Sequence, residues 1–371
     1  MNKNKFHLIT LCLFLPLFLC RCTQRPQHAG DIQSSIQHYQ QLSAIHWYPI
    51  SIKTPLTYGD ENAQIPIIKQ RLNVLGDLNH SNLNSTKFDS ALTNAIKQFQ
   101  WRHGLNKTGT LDQKTLNALN INPTKRLQQL HRSLQKWQQI PKEVGARYIH
   151  INIPSYELRL VDNGQKILNM KVVVGKQTRP TPEVYSKVKT IVLNPTWNVP
   201  QKLAAEDIVP KQLNDPAYLK KHKIKIYKDW NRDGGPIDPS TLDWSEIWEQ
   251  GFPYHFTQSP GNGNSLGKIK FLFDNRHSIY MHDTPKKYLF KKIKRAYSSG
   301  CIRLEKPFQL AEYFLQDNPK YDQHNVDQIL QENKTKYISI KNPIPLHITY
   351  ITAWVDDKGY VHFREDIYNR N

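Results

Sequence analysis

The sequence predicts an α+β chain, in which a small three-helix domain precedes a β-rich domain interrupted by an insertion. Three observations predict it. Apolar residues recur at helical spacing three times between Gly59 and Ile121. From Arg147 the period changes to two, with Ile149, Ile151 and Ile153 alternating with His150 and Asn152. That β pattern breaks from Trp197 to Leu266, where tryptophans stand among glycine, proline and aspartate. An irregular stretch of that length inside a β domain reads as a functional lid or insertion.

Residues 1–22 carry Lys3 and Lys5 and then an apolar run from Leu8 to Cys20. The run is shorter than the ~20 residues of a membrane span and fits the apolar centre of a secretory signal. Residues 1–22 are therefore expected to be a signal peptide, and the protein to be exported to the periplasm. An uncleaved anchor, or lipid on Cys20 or Cys22, stays open, so the leader is a possible point of membrane contact. Leu19 and Arg21 stand where a lipoprotein signal wants a small residue.

Residues 31–57 contain Ile36, Tyr39, Leu42 and Trp47 and read as an N-terminal scaffold segment without chemistry of its own. Residues 58–121 hold the three helices, marked by Ile65, Ile68, Leu72 and Leu75, by Leu92, Ile96 and Phe99, and by Leu116 and Leu119. A turn with two glycines, Gly104 and Gly109, separates the second from the third. Residues 122–145 form a linker helix through Leu127, Leu130, Leu134 and Trp137, ending near Pro141.

The β-rich domain is placed at 146–310, with the insertion at 197–266. Within it Asn163-Gly164 is the strongest short hairpin signal, flanked by Leu158 and Leu160 before it and Met170, Val172 and Val174 after it. Residues 311–371 read as a C-terminal extension packing on this domain. It opens on a helix after Pro307 and closes with a hairpin turned by Asp356-Asp-Lys-Gly359.

The formal charge is +20. In an exported protein such a surplus fits anionic wall peptides or membrane headgroups, and equally a solvated surface. No zinc finger, helix-turn-helix or aromatic RNA-binding signature accompanies it, so no nucleic-acid partner is expected.

Cys301 is the only cysteine beyond the leader, which leaves no intramolecular disulfide and one thiol free for chemistry. It lies in Ser298-Ser299-Gly300-Cys301-Ile302-Arg303, and His282 ends the strand-like Ile279-Tyr280-Met281. Leu289, Phe290, Ile293 and Tyr297 predict a helix between the two motifs, which would bring His282 and Cys301 together. An isolated cysteine and histidine would read as buried structural residues. The Gly-Cys turn points instead to an active thiol. A nearby histidine would shift it toward thiolate, take its proton during attack on a carbonyl, and return a proton to the leaving amine. N–H groups around Gly300 and Cys301 would form the oxyanion hole. His277 and His282 lack metalloprotease spacing, so no metal or other cofactor is expected.

At these residues the sequence resembles the L,D-transpeptidases of bacterial cell walls, whose signature is an upstream histidine and then Ser/Thr-His-Gly-Cys-x-Arg/Asn. The wider match, Asn275 to Pro285 with Ser298 to Arg303, is similar to the large Gram-negative subgroup with a cap over the active site. Ser299 departs from the pattern, since many members carry a second histidine there. The turn around Phe99, Gln100, Gly104, Leu105, Thr108, Gly109, Leu111, Asp112, Thr115 and Leu116 resembles a peptidoglycan-binding three-helix module. Those are mostly core and turn residues, so they speak for the fold more than for binding.

The resemblance implies a β-rich catalytic domain at 146–310 with a cap at 197–266 that helps bind the donor peptide. It implies Cys301 as nucleophile, His282 as general base, the Asp283 carbonyl as orienter of the imidazole, and Gly300 at the oxyanion hole. Tyr280, Ser298, Ser299 and Arg303 would contact substrate, with Arg303 pairing with a substrate carboxylate or else bracing the turn. The implied reaction joins peptidoglycan stem peptides, a tetrapeptide donor and an acceptor stem amine, in a 3–3 cross-link. Carbapenems would acylate the thiol. Water or a protein lysine as acceptor, and a wall-binding protein without catalysis, remain open alternatives.

Overall fold

A computed structural model of the chain describes residues 28–79, 82–140 and 145–370. The leader with Cys12, Cys20 and Cys22 lies outside them, as does Pro141 at the expected end of the linker helix.

The first half is helical: α1 His28–Ser43, α2 Ile65–Val74, α3 Ser90–Arg102, α4 Gln113–Leu119 and α5 Pro123–Gln139. Side-chain caps fix three of the starts. Asp89 accepts from the Leu92 N–H, Asp112 from that of Thr115 and Asn122 from that of Thr124, each at 2.8 Å. Each satisfies a backbone donor that the helix leaves unpaired, worth about 1 kcal/mol. Ile65, Ile68, Leu72, Leu92, Ile96, Phe99, Leu111, Leu116 and Leu119 close one core over α2 to α4. Gln100 is fully buried beneath the turn. Its amide donates to the Thr110 carbonyl at 2.9 Å and lies 3.0 Å from the hydroxyls of Thr108 and Thr115, while its oxygen accepts from the Gly109 N–H at 2.9 Å. The Phe-Gln and Thr-Gly pieces of the motif therefore meet as structure.

The β-rich half contributes β1 Arg147–Asn152, β2 Glu157–Asp162, β3 Gln165–Gly175 and β4 Val184–Leu193. The insertion follows with β5 Trp197–Asn198, α6 Gln201–Leu203, a π-helical turn Ala204–Ile208, α7 Val209–Asn214, α8 Tyr218–Lys221, β6 Ile224–Tyr227, α9 Trp244–Gln250 and β7 His255–Gln258. Then come β8 Ile269–Phe273, β9 Met281–His282, β10 Ala296–Ser298, β11 Ile302–Leu304, α10 Pro307–Leu315, α11 Gln323–Glu332, β12 Lys336–Thr349, β13 Ala353–Val355 and β14 Val361–Phe363. Nine strands form the main sheet in the order β10-β3-β11-β9-β8-β4-β12-β1-β2, and a β2–β3 pairing curls it back on itself. Asn163 and Gly164 join β2 to β3 with φ of 47° and 79°, as a type I′ turn demands. The concave core draws on every part of the sheet and on Leu310, Ala311, Leu315, Val326 and Leu330 of α10 and α11.

Two expectations are corrected. The segment between the catalytic motifs is not an α-helix but a 3-10 turn, Lys287–Lys291, followed by strand β10. Leu289 and Phe290 are sequence neighbours that both pack on Val173, whereas Ile293 and Tyr297 are exposed, so no single helical face forms. The chain instead extends, with the Val174 N–H donating to the Arg295 carbonyl at 2.9 Å. The residues from 311 onward are also more than an extension. β12 lies inside the main sheet, parallel to β1 and antiparallel to β4.

The C-terminal hairpin β13–β14 serves the other half. Ala353, Val355 and Phe363 share a core with Ile32, Ile36, Tyr39 and Leu42 of α1 and Leu130 of α5. His103 at the end of α3 stacks between Phe99 and Phe363. Arg364 donates to the Arg102 carbonyl at 2.9 Å, and Arg102 itself pairs with buried Asp77. The helical module is thus fastened to the last strands of the chain.

The insertion expected to be a cap has its own three-stranded sheet, β5-β7-β6, and its own core of Val199, Ile208, Leu219, Ile226, Phe252 and Phe256. Trp197 and Trp244 pack against that core, while Trp230 and Trp248 are half exposed.

Candidate active site

Two short strands hold the site. β9 and β11 pair in parallel, setting Met281 opposite Ile302 and His282 opposite Arg303. Met281 and Ile302 are fully buried in the main core. Alternation along the strands then sends Tyr280, His282 and Arg303 to the other face. The Ile302 N–H donates to the Tyr280 carbonyl at 3.0 Å, which sets Cys301 beside Tyr280. The Tyr280 and His282 rings lie 5.6 Å apart.

His282 is buried, and its Nδ1 lies 2.5 Å from the Asp283 carbonyl oxygen. A carbonyl only accepts, so Nδ1 carries the proton and Nε2 presents a lone pair. The Asp283 side chain adds a second hold, accepting from the Lys268 N–H at 2.9 Å and pairing with Lys287. Gly267, at φ 65°, makes room for it, since a Cβ there would stand 2.2 Å from the Asp283 carboxylate.

The electrostatics correct one expectation. Burial pushes the Cys301 thiol up, opposed by Tyr280, Lys270 and Arg303. Burial lowers His282 to about 3, helped by the charge of Arg303 and opposed by the bond to Asp283. At neutral pH the resting site therefore holds a neutral thiol and a neutral imidazole, not a preformed thiolate.

The catalytic turn also differs from its sequence reading. Gly300 takes φ 113°, but its N–H donates to the Ser298 hydroxyl at 3.2 Å and its carbonyl accepts from Thr181 Oγ1 at 2.8 Å. Its amide is engaged within the turn rather than held open as an oxyanion donor. Ser298 is buried and donates to the Cys301 carbonyl at 2.5 Å, so it braces the turn instead of meeting substrate. Ser299 is exposed and accepts from Arg179 at 3.0 Å. Arg303 keeps a buried Nε with no hydrogen-bond partner among the described residues.

Two basic residues were missed as site residues. Lys270 on β8 pairs with His282, and its ammonium sits 4.0 Å over the Tyr280 ring. The alternation of Lys268 and Lys270 with Ile269 and Phe271 is the signal that one face of this strand starts polar. Arg179 lies in the loop between β3 and β4, and its partners Glu206, Asp207 and Ser299 are remote in sequence. Among the described residues no cluster of His, Cys, Asp and Glu is arranged to hold a metal, and no helix is long and apolar enough to cross a membrane.

This site sits in a fold that comparisons with known proteins recognise. Residues 146–323 match the model of the L,D-transpeptidase catalytic domain. Residues 61–119 match that of the "Putative peptidoglycan binding domain". The chain thus carries a region similar to L,D-transpeptidase catalytic domains behind a region similar to a peptidoglycan-binding domain. A Haemophilus influenzae protein named "Putative L,D-transpeptidase" is 38% identical over 220 residues, 59% of this chain and 44% of that relative. The match thus spans less than half of the relative's length. Among solved structures, an L,D-transpeptidase from Stackebrandtia nassauensis is 10% identical with a TM-score of 0.29, covering 81% of this chain and 97% of that one. The catalytic domain of the E. faecium L,D-transpeptidase acylated by ertapenem is 14% identical with a TM-score of 0.26, covering 55% of this chain and 97% of that one.

Proposed function

We propose that the chain is a cysteine L,D-transpeptidase that forms 3–3 cross-links between peptidoglycan stems, outside the cytoplasm. Cys301 attacks the carbonyl at the L-centre of diaminopimelate in a donor tetrapeptide, while His282 Nε2 takes the thiol proton. The tetrahedral intermediate collapses to a thioester, and the departing D-alanine amine takes the proton back. A side-chain amine of a second stem then attacks the thioester, giving its proton to His282, and the thiolate leaves and is reprotonated.

The observation that carries this reading is the contact of His282 Nδ1 with the Asp283 carbonyl, which holds the imidazole on the face shared with Tyr280, beside Cys301. A neutral thiol beside a neutral base is suited to proton transfer during attack. Because the Gly300 amide is engaged, the Cys301 N–H is the oxyanion donor in this mechanism. Arg303, with its unpartnered buried Nε, supplies a fork for a substrate carboxylate. The cap covers the donor side and excludes water from the thioester.

The test is intact-protein mass after incubation with a carbapenem, beside Cys301→Ala. One adduct that vanishes in the variant supports the acyl-enzyme. No adduct on a folded protein overturns it.

A further inference from the structure

The loop between β3 and β4, Arg179-Pro-Thr-Pro182, joins the catalytic turn to the cap. Thr181 is fully buried and fixes the loop. Its hydroxyl accepts from the Gly175 N–H and donates to the Gly300 carbonyl, both at 2.8 Å, and its N–H donates to the Tyr368 hydroxyl at 3.2 Å. Arg179 therefore starts from a backbone tied directly to the turn that presents Cys301.

Its guanidinium is only 11% exposed and faces an excess of acid. One fork grips both oxygens of Asp207, at 2.9 Å through Nη2 and by a short bond through Nη1, while Nη2 also pairs with Glu206. Nη1 donates to Ser299 Oγ at 3.0 Å, two residues before the nucleophile. The two acids are themselves 34% and 48% exposed and sit in the π-helical turn of the cap, a helical form seldom kept without a functional reason. The arginine is anchored on the catalytic domain, whereas both carboxylates belong to the cap.

We propose that Arg179 is a receptor for a carboxylate of the anionic acyl-donor peptide, masked in this structure by Asp207 and Glu206. A guanidinium fork binds any planar carboxylate in the same bidentate way, so the donor's carboxylate and the cap's acids are alternative ligands for one site. Donor binding then releases the cap from the catalytic turn. Ser299 is the neutral acceptor that holds the guanidinium beside the turn. This inference rests on the donor reading given above.

The experiment measures protection of Cys301 from iodoacetamide by a donor tetrapeptide with free carboxylates and by its fully amidated form, using the whole protein. Iodoacetamide is neutral, so its rate alone reports whether the thiol is intact. The free peptide is expected to protect wild type at about tenfold lower concentration than the amide, as for one charge-assisted pair. Arg179→Gln should abolish that difference, and Asp207→Asn or Glu206→Gln should strengthen protection by the free peptide alone. If Arg179→Gln weakens both peptides equally, or if removing the acids changes neither, Arg179 is only a structural tie and the proposal is overturned. A wild-type thiol that neither peptide protects overturns the donor reading and this inference with it.

Discussion

His282 and Arg303 face one another across the parallel pairing of β9 and β11, inside a site where burial has already stripped the imidazole of its charge. A cation directly opposite a buried histidine adds to that discharge. The base is thus ready in its unprotonated form well below neutral pH.

This predicts the pH course of acylation. Carbapenem acylation should rise with pH as the raised thiol ionises, with no inflection near the ordinary histidine value of about 6.5. Arg303→Gln removes one of the three causes that lower His282, the others being burial and Lys270, and should bring an acid limb up toward neutrality. Rate profiles of both proteins between pH 4 and 9 check it.

Stability should follow the same histidines. His103, His282 and His362 all have pKa values lowered by burial in the folded protein, so the unfolded chain binds more protons below about 6.5. Stability is therefore complete above that value and falls as pH drops through it. His282 alone should account for roughly 3 kcal/mol between pH 7 and pH 4. Urea unfolding across that range, repeated on His282→Gln, measures its share.

Gly267→Ala should damage the site from a distance. A methyl at that positive φ meets the Asp283 carboxylate, so the segment that orients His282 must move. Loss of acylation rate by about 100-fold is expected, as for misplacement of a catalytic group by about an ångström. Gly234→Ala, where nothing lies within 4 Å, is the control and should be close to neutral.

Gln100→Leu should destabilise the helical module by about 2–4 kcal/mol, because it strips the partners from Gly109 and Thr110 beneath a buried turn. Acylation of Cys301 should survive at temperatures where the protein stays folded. Thermal unfolding followed together with labelling separates the two.

Lys270→Met should slow alkylation of Cys301 at pH 7 about tenfold by removing one of the charges that oppose the rise of the thiol. A shift of the alkylation profile to higher pH, with an unchanged plateau, checks it.

Much of this fold was legible because local chemistry and tertiary structure agree. Ile65, Ile68 and Leu72, then Leu92, Ile96 and Phe99, then Leu116 and Leu119 mark helices that the structure forms, and Asn163-Gly164 makes the hairpin it spells. The pairing of Cys301 with the Tyr280 and His282 strand was legible from motif alone. What escaped depends on partners far along the chain. Leu289 and Phe290 imitate part of a helix until Val173 claims both. Ser298 looks like a site residue until its hydroxyl turns inward to the Cys301 carbonyl. Gly300 has the right conformation, but its amide goes to that same serine. Arg179 carries no signal at all until Asp207 and Ser299 are placed beside it.

The position of β12 has a consequence for how the chain acquires its shape. β1 cannot complete its pairing until β12 exists, as the hydrogen bond between His150 and Thr349 across 199 positions shows. The helical module waits on the same late segment, because Phe363 and Arg364 supply its outer contacts. Contacts of such long sequence separation are slow to form and leave sheet edges open meanwhile. The strand pairs that align Cys301 thus close into a finished barrel-like sheet only after nearly the whole polypeptide has been made. A nascent or C-terminally shortened chain should present unpaired strands to chaperones and proteases long before it presents a working thiol.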